Sequence, residues 1–506
     1  MLSKQQGEGR YQVSVVSLDE LVPRDHLVRK IEKAIDFSFI YDLVKDRYSP
    51  DNGRPSIDPV VLIKMVFIQY LFGIRSMRQT IKEIETNVAY RWFLGYDFTQ
   101  PIPHFTTFGK NYVRRFQGTD LFEQIFTRIL EEACRHGFVD PSALYIDSTH
   151  VKAHANKRKY SKQRVQEEQK KYQQQLHDEL NQDRIEHGKK PLPKKSDTKW
   201  KEVKQSTTDP DSGWFVKNEK EQTFAYSFHA ASDEHGFVVS AVVTAANIHD
   251  SQVFTNVFEQ AIENVGKPNA VAVDAGYKTP YISKYLLDEG VRPVMPYTRS
   301  HTKKGFFRKH DYVYDEYFDC SICPAGQVLS YETTTREGYR MYRSDSEICS
   351  HCPLRFQCTE SREAVKRISR HIWADYLEEV EHLRHTEVNK WLYTRRKETI
   401  ERVFADLKEK HGLRWTTLRG LKKVTMQAML AFAAMNLKKL ANWLWNKGNG
   451  GLFALTGNFV FIVLNGMKCY SSINPMVVCL IGSFERRLPK AVIESASVRM
   501  FTTGYH

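Results

Sequence analysis

The sequence lacks any long apolar run. No stretch approaches the ~18 consecutive apolar residues that a membrane helix needs, and the apolar run FVFIVL at 459–464 stops at Asn465. The first residues, MLSKQQGEGRYQVSVV, contain no apolar h-region and so do not have the pattern of a signal peptide. We therefore expect a cytoplasmic protein with no membrane partner.

Acidic residues are outnumbered by basic ones. The 60 Asp and Glu against 74 Lys and Arg give a formal charge of +14 and a pI near 9.2. A surplus of this size favours a polyanionic partner, nucleic acid before anionic membrane. With 506 residues, 41% of them hydrophobic, the chain is long enough for several globular domains with cores of their own.

Cysteine is scarce outside one cluster. Five of the eight cysteines lie together, namely Cys320, Cys323, Cys349, Cys352 and Cys358. Two Cys-x-x-Cys pairs on tight turns can close a tetrahedral zinc site, and a reducing compartment favours metal over disulfide. We predict a structural zinc ion bound within this cluster, with the ligand set among the five thiols open and free thiols as the alternative.

The N-terminal third predicts short helices joined by tight turns. Asp58 followed by Pro59 is an N-cap and first-turn pair, and Ser76 caps the next helix. We predict an all-α DNA-binding domain over residues 1–138. Its basic side chains Lys110, Arg114 and Arg115 lie on a predicted helix that could enter a DNA groove, and ordinary surface charges are the alternative.

Beyond residue 138 the pattern changes to strands. An apolar run at 143–146 leads directly into Asp147, and a second run, AVAV, ends at Asp274. Two alternating or β-branched segments, TFAYSFHAAS and GFVVSAVVTAAN, lie between them, and helical segments follow. The order β-β-β-α-β-α-β predicts a mixed α/β core over residues 139–297 and 376–447.

Three other segments interrupt or follow this core. Residues 156–221 predict a basic helical excursion, and residues 298–375 form the cysteine-rich insertion. Residues 448–506 have apolar patches without a clear period, so we assign them only as a C-terminal tail of unknown structure.

Residues 390–412 predict one helix with a buried stripe. The stripe has helical spacing and consists of Ile400, Val403, Phe404 and Leu407. Lys397, Glu401 and Lys408 share a flank of it, so we expect Glu401 to be half-buried. A structural ion pair is one interpretation of this flank, and a metal or acid/base site is the other.

Carboxylates at strand ends need a positive counterpart. Asp147, Asp274 and Glu401 would carry three negative charges to one edge of a sheet, and hard divalent cations with oxygen ligands neutralise such charge. His150, His154 and His249 lie near these acids, and for each an ordinary hydrogen-bonded histidine is the simpler interpretation. We expect Asp250 to be the N-cap of the following helix.

The motifs YIDSTHVKAH, AVDAGY and RRKETIERVFADLKEKHGL resemble those of the DDE transposases of bacterial insertion sequences. The chain is most similar to the group numbered eleven-eighty-two, relatives of the insertion-sequence four and five families, over roughly residues 15–445. The resemblance implies an α/β fold with a ribonuclease H-like catalytic core, a mixed five-stranded sheet with helices. It also implies double-stranded DNA partners, terminal inverted repeats and target, and a dimer when two ends are paired, associated with the bacterial nucleoid.

Residue by residue, the resemblance makes Asp147, Asp274 and Glu401 the catalytic acids. They would hold two Mg²⁺ ions, with Mn²⁺ as an alternative. Lys408 matches the lysine of a Tyr-Arg-Glu-Lys signature. The arginine of that signature falls at Lys397, with Arg396 one place away, so both are candidates for phosphate contact.

Arg419-Gly420 matches a basic turn that follows the glutamate helix in this family.

Two other functions remain open. One is a structure-selective nuclease on the same core, which would cut DNA without joining strands. The other is a zinc-bearing, sequence-specific DNA-binding regulator whose acids are structural.

Overall fold

The computed structural model describes residues 13, 15–49, 56–166, 172–193, 200–217, 221–298 and 302–448. The described residues up to Leu444 belong to one compact unit. The predicted tail, apart from Gly448, lies outside the described residues, as do Cys469 and Cys479.

The N-terminal region is helical, as predicted. Its helices are α1 (Leu18–Leu21), α2 (Leu27–Ala34), α3 (Phe39–Val44), α4 (Pro59–Leu71), α5 (Met77–Thr86), α6 (Val88–Leu94), α7 (Thr106–Asn111) and α8 (Leu121–Arg135). Asp58 accepts a hydrogen bond from the Val60 amide at 2.7 Å, and Ser76 accepts one from the Gln79 amide at 3.2 Å. Both predicted N-caps are therefore confirmed.

A mixed sheet follows the helices. The elements of this part are β1 (Ala143–Lys152), β2 (Tyr160–Gln166), α9 (Gln173–Glu186), β3 (Trp200–Ser206), β4 (Gly213–Val216), β5 (Gln222–Ser232), β6 (Val238–Ala245), α10 (Asp250–Val265), β7 (Ala270–Ala272), α11 (Pro280–Asp288) and β8 (Arg292–Val294). Strand β1 pairs antiparallel with β5 and parallel with β7, β7 pairs parallel with β8, and β6 pairs antiparallel with β5. The predicted mixed α/β architecture is confirmed.

The sheet has one strand more than predicted in the described chain. Strand β4 pairs with the first residues of β5, so the sheet is six-stranded. The sequence prediction missed β4 because it is only four residues long and lies inside the polar excursion at 156–221.

The excursion at 156–221 is not mainly helical, and this prediction was wrong. Strands β2 and β3 form a two-stranded antiparallel ribbon, with Tyr160 opposite Ser206 and Gln166 opposite Trp200. Only α9 is helical in the described part of this segment. Cross-strand pairing of the two arms outweighs the helix propensity of their Lys and Gln residues.

A second, antiparallel sheet occupies the cysteine-rich stretch. Its elements are β9 (Val313–Asp315), β10 (Cys320–Ile322), β11 (Val328–Thr334), β12 (Tyr339–Arg343), α12 (Ser346–Ser350), α13 (Arg355–Cys358) and β13 (Arg367–His371). Helix α9 is attached to it through buried Asp183. The Asp183 carboxylate accepts hydrogen bonds from Thr334 Oγ1 at 2.6 Å and from Arg340 Nε at 2.7 Å. The excursion and the insertion therefore contact each other.

The last helices are α14 (Ala374–Arg384), α15 (Glu387–Arg395), α16 (Ile400–Glu409) and α17 (Leu421–Gly448). The single helix predicted over 390–412 was wrong, because α15 and α16 are separated by a turn at 396–399. Thr399, with φ −107° and ψ −101°, lies outside the helical region. The predicted apolar stripe on α16 is confirmed, since its four side chains are all buried.

One hydrophobic core runs from the N-terminal helices through the main sheet to α17. Helix α4 packs closely against the end of α16. His411 Nδ1 donates to the Tyr70 carbonyl at 2.9 Å, and a Cβ on Gly73, whose φ is +65°, would lie 2.7 Å from the Lys410 carbonyl oxygen. Among the described residues, we find no helix both long and apolar enough to span a membrane.

Candidate active site

Asp147 lies on β1, and Asp274 follows the end of β7, the neighbouring parallel strand. The register pairs Tyr145 with Ala272, and each aspartate comes two residues later. Strand β1 does not end at Asp147, as we predicted, but continues to Lys152, because β5 pairs with it along this whole length. Asp147 therefore projects from β1 just where its pairing with β7 has stopped.

The Asp147 carboxylate is half-buried and contacts one cationic side chain. Its Oδ1 accepts a hydrogen bond from the Ser148 amide at 2.8 Å, and its Oδ2 accepts one from the Arg396 guanidinium at 2.6 Å. Burial raises the pKa of Asp147 to about 6 despite Arg396, and the charges of Asp274 and Asp250 add to this increase. The ionised form of such a carboxylate is stabilised by a nearby positive charge.

The turn between α15 and α16 places Arg396 and Lys397 in different surroundings. Arg396 is 3% exposed and contacts Asp147, whereas the Lys397 side chain is exposed. The helical phase from which we related Lys397 to Glu401 does not apply, since the two residues are not on one helix. The structure therefore brings Arg396 to the aspartates.

Glu401 and Lys408 lie on α16, which packs along β1. Glu401 is in the first turn and is exposed, so the expectation that it is half-buried was wrong. Lys408 is half-buried and donates to Thr149 Oγ1 at 2.5 Å, and burial lowers its pKa. Within the part of the chain that the structure describes, no three His, Cys, Asp or Glu side chains are grouped closely enough to hold a metal ion.

Asp250 lies near enough to Asp147 to raise its pKa, which the sequence analysis did not predict. The N-cap of α10 is His249, whose Nδ1 accepts from the Ser251 amide at 3.3 Å, so the expectation that Asp250 is the cap was wrong. Asp250 is the first helical residue, and its Oδ1 lies 3.6 Å from Nδ1 of buried His229. The signal was available in NIHDSQ, because this motif follows a strand that belongs to the same sheet as Asp147.

His150 on β1 is an ordinary hydrogen-bonded histidine, whereas His154 is held through its backbone and its side chain is exposed. His150 Nδ1 lies 3.2 Å from Ser227 Oγ, its ring packs against Phe215, and burial lowers its pKa to about 4. The backbone of His154 is held by the turn that follows α16: its carbonyl accepts from Arg419 Nε at 3.0 Å. Arg419 thus anchors that turn to the end of β1 while its side chain stays exposed.

The predicted basic helix of the N-terminal region is interrupted. Helix α7 ends at Asn111, and a π-helical turn, Tyr112–Phe116, follows. Lys110 and Arg114 are exposed, whereas Arg115 donates to Asn111 and lies over the Tyr48 ring at 4.4 Å. Two of the three predicted DNA contacts are therefore free to reach a phosphate.

The clustered cysteines are all free thiols. Cys323, Cys349, Cys352 and Cys358 line one cavity beside β10 and β11, and the Tyr312 hydroxyl lies 3.1 Å from Cys358 Sγ. Cys320 is buried on β10 and does not line this cavity. As stated above, the described thiols do not form a metal-binding group.

Comparison with known protein families gives two matches. The family described as "Transposase domain (DUF772)" matches residues 16–114, and the family described as "Transposase DDE domain" matches residues 322–441. The two matched domains indicate a DDE transposase. No curated protein matches the chain. The second match includes Arg396, Glu401 and Lys408, whereas Asp147 and Asp274 precede it in sequence.

Proposed function

We propose that this transposase hydrolyses a phosphodiester bond at each end of an insertion sequence and then joins the freed 3′-hydroxyl to target DNA. One observation carries the proposal most directly. Asp147 and Asp274 each come two residues after the last paired residues of the parallel strands β1 and β7, and Arg396 links Asp147 to the turn that leads into the Glu401 helix. The strand order β6-β5-β1-β7-β8 supports a ribonuclease H-like core. We also propose that the transposase is a member of the group numbered eleven-eighty-two.

The proposed metal ligands are carboxylates, although the structure does not group three of them in the described chain. Asp147, Asp274 and Glu401 would supply carboxylate oxygens, which Mg²⁺ prefers, with Mn²⁺ as the alternative. Two such ions would activate water and stabilise both the attacking and the leaving oxygen of a phosphodiester. Arg396 neutralises Asp147 in the metal-free protein. Lys408, half-buried beside β1, would contact a DNA phosphate as a point charge.

DNA recognition is assigned to the N-terminal helices. The exposed Lys110 and Arg114, and Arg419 at the turn after α16, would contact the phosphate backbone, which positions a protein without specifying sequence. Arg115 and Lys397 are weaker candidates, since Arg115 packs on Tyr48 and Lys397 makes no contact with the aspartates. Two ends must be paired for transposition, so we propose a dimer when DNA is bound, at the nucleoid.

The test uses the full-length protein and a supercoiled plasmid that carries the gene with its flanking DNA. With Mg²⁺, the wild type should release strands and join them to target DNA. Glu401→Gln should still bind DNA but give neither product. Glu409→Gln, on the same helix and paired with Arg414, is the matched control and should cleave normally.

Two results would count against the proposal. Normal cleavage by Glu401→Gln would remove Glu401 from the site. Cleavage without any joined product would favour the structure-selective nuclease.

A further inference from the structure

The ribbon β2–β3 and the segment that leads into it carry a concentration of positive charge. Residues 157–166 and 200–206, which we call the basic ribbon, contain seven basic residues and one acidic residue, Glu202. Their formal charge is therefore +6, against +14 for the whole chain. Charge of one sign at this density favours a polyanionic partner. The seven basic residues are Lys157, Arg158, Lys159, Lys162, Arg164, Lys201 and Lys204.

The first cations of the basic ribbon are open to a ligand. Lys157, Arg158 and Lys159 are exposed, and among the described residues none of the three forms an ion pair. Lys162, on β2, is exposed as well, and its ammonium lies 3.6 Å from the carboxylate of exposed Glu202. Exposed ion pairs of this kind contribute little free energy. These side chains can therefore contact phosphates at little cost.

The register of the ribbon places two like charges opposite each other. Lys162 is opposite Lys204, and like charges directly opposite destabilise an antiparallel pair. The Lys204 ammonium lies 4.4 Å from the centre of the Trp214 ring and 5.1 Å from that of the Tyr160 ring. These rings hold Lys204 at the base of the ribbon but do not neutralise it. A phosphate bound on this face would convert the repulsion into attraction.

Strand β2 is exposed on both faces of the ribbon. Ser161, Lys162 and Gln163 are all exposed, although successive residues of a strand point to opposite faces. A two-stranded ribbon without further packing is only marginally stable in water, so a partner on these faces would stabilise it. The major groove of B-DNA, about 12 Å wide, admits a two-stranded ribbon. The shape of the basic ribbon therefore suits duplex DNA as its charge does.

The base of the basic ribbon is fixed to the turn that follows α16. The Thr207 amide donates to the Lys159 carbonyl at 3.1 Å. Two residues later, the buried Asp209 carboxylate accepts from the Gly420 amide at 2.9 Å. The ribbon therefore starts from a point that is hydrogen-bonded to the turn beside Arg419.

DNA held by Arg419 would lie close to the first lysine of the ribbon. Arg419 Nε donates to the His154 carbonyl at 3.0 Å, and Lys157 follows His154 by three residues. Three residues span at most about 11 Å. Phosphates of one DNA strand follow each other at about 3.4 Å along the helix axis, so this distance corresponds to about three nucleotides.

We propose that the basic ribbon binds the phosphate backbone of duplex DNA next to the bond that is cleaved. This inference rests on the proposed function, which places Lys408 and Arg419 on that DNA. Contacts from lysine and arginine to phosphates position the duplex without reading its sequence. A second copy of the chain is a less favourable partner, because two basic ribbons repel each other.

The salt dependence of DNA binding tests the inference without catalysis. Full-length protein in EDTA is titrated against a fluorescent duplex from the DNA that flanks the gene, at about 50 to 200 mM salt, and anisotropy gives the Kd. Each lost phosphate contact reduces the slope of log Kd against log salt by about 0.9. Lys157→Ala/Lys159→Ala should therefore reduce it by about 1.8 and raise the Kd about 30-fold at about 150 mM salt.

Two further double variants are matched controls. Lys157→Arg/Lys159→Arg keeps both charges and should keep the wild-type slope. Arg128→Ala/Lys267→Ala removes two exposed cations that already pair with glutamates, at 3.1 and 2.8 Å, and should also keep it. An equal loss of slope in the second control would reduce the effect to net charge and overturn the inference.

Hydroxyl-radical footprinting of the same complexes locates the contact. The wild type should protect the DNA backbone within a few nucleotides of the cleaved bond, and Lys157→Ala/Lys159→Ala should lose this protection. Loss of protection only at a distant position would contradict the inference.

The binding and cleavage results separate this inference from the proposed function. If Lys157→Ala/Lys159→Ala keeps the wild-type slope while the wild type cleaves and joins DNA, the ribbon contact is wrong and the transposase function stands. If the slope falls as expected but the wild type gives no Mg²⁺-dependent products, the contact stands and the transposase function is wrong. An unchanged slope with weaker self-association in analytical ultracentrifugation would assign the ribbon to a second copy instead of DNA.

Discussion

The ionised Asp147 carboxylate is stabilised by the positive charge of Arg396. Its pKa is raised to about 6 by burial even though Arg396 opposes that increase. The Arg396 side chain is 4% exposed and that of Asp147 is 18% exposed, so the ion pair is largely shielded from water. The pair therefore joins strand β1 to the turn before the helix that carries Glu401.

Arg396→Ala should destabilise the metal-free protein at pH 7 by about 3 kcal/mol, because it leaves a half-buried carboxylate without a partner. Lys397→Ala, at the neighbouring exposed position, should change the free energy of unfolding by less than about 0.5 kcal/mol. Urea unfolding in the presence of EDTA measures both. Equal effects of the two variants would contradict the assignment of the buried arginine role to Arg396.

At the scale of elements, the break between α15 and α16 has the largest effect on the site. A continuous helix would have placed Lys397 and Glu401 on one flank. The turn instead buries Arg396 and begins a new helix at Ile400. Periodicity located the apolar stripe of α16, but it contains no information about a turn in which Thr399 adopts a non-helical conformation.

The structure does not support the predicted zinc site, because the described thiols are not grouped as metal ligands. Four thiols line one cavity and Cys320 does not. If zinc binds there, the purified protein should contain about one zinc per chain, held tetrahedrally by thiolates. Cys323→Ser and Cys352→Ser should lose it, whereas Cys320→Ser should keep it.

Elemental analysis by mass spectrometry after gel filtration gives the zinc content of each variant. A zinc-free wild type would show that these cysteines are ordinary thiols. Loss of zinc in Cys320→Ser alone would place the ligands elsewhere in the cluster.

At the scale of the whole molecule, the sequence predicted the helices and strands that have a local pattern along the chain. It missed the elements and contacts that depend on residues distant in sequence. Alternation and apolar runs located β1, β5, β6 and β7, and caps located α4 and α5. The ribbon β2–β3 was missed because its stability comes from pairing across an inserted helix. The position of Asp250 was missed because it depends on His229, a residue on another strand whose placement no local pattern indicates.

A contact between residues distant in sequence also joins the N-terminal helices to the α/β core. It is made by His411. This buried histidine follows α16 and donates to the Tyr70 carbonyl on α4. Burial lowers its pKa to about 4, against about 6.5 for an unfolded chain. The unfolded state therefore binds the proton more readily. The stability that neutral His411 contributes is complete above pH 6.5 and is lost as the pH falls from 6.5 towards 4.

His411→Asn should remove this proton uptake while its side-chain amide can still donate to Tyr70. Between about pH 5 and 6, the free energy of unfolding of the variant should fall less steeply with decreasing pH than that of the wild type, by about 1.4 kcal/mol per pH unit. Urea unfolding at pH 7, 6, 5.5 and 5 measures the slope. His310→Asn, at an exposed position, should leave the slope unchanged. If His411→Asn has the wild-type slope, His411 is not the proton-linked contact between the N-terminal helices and the catalytic core.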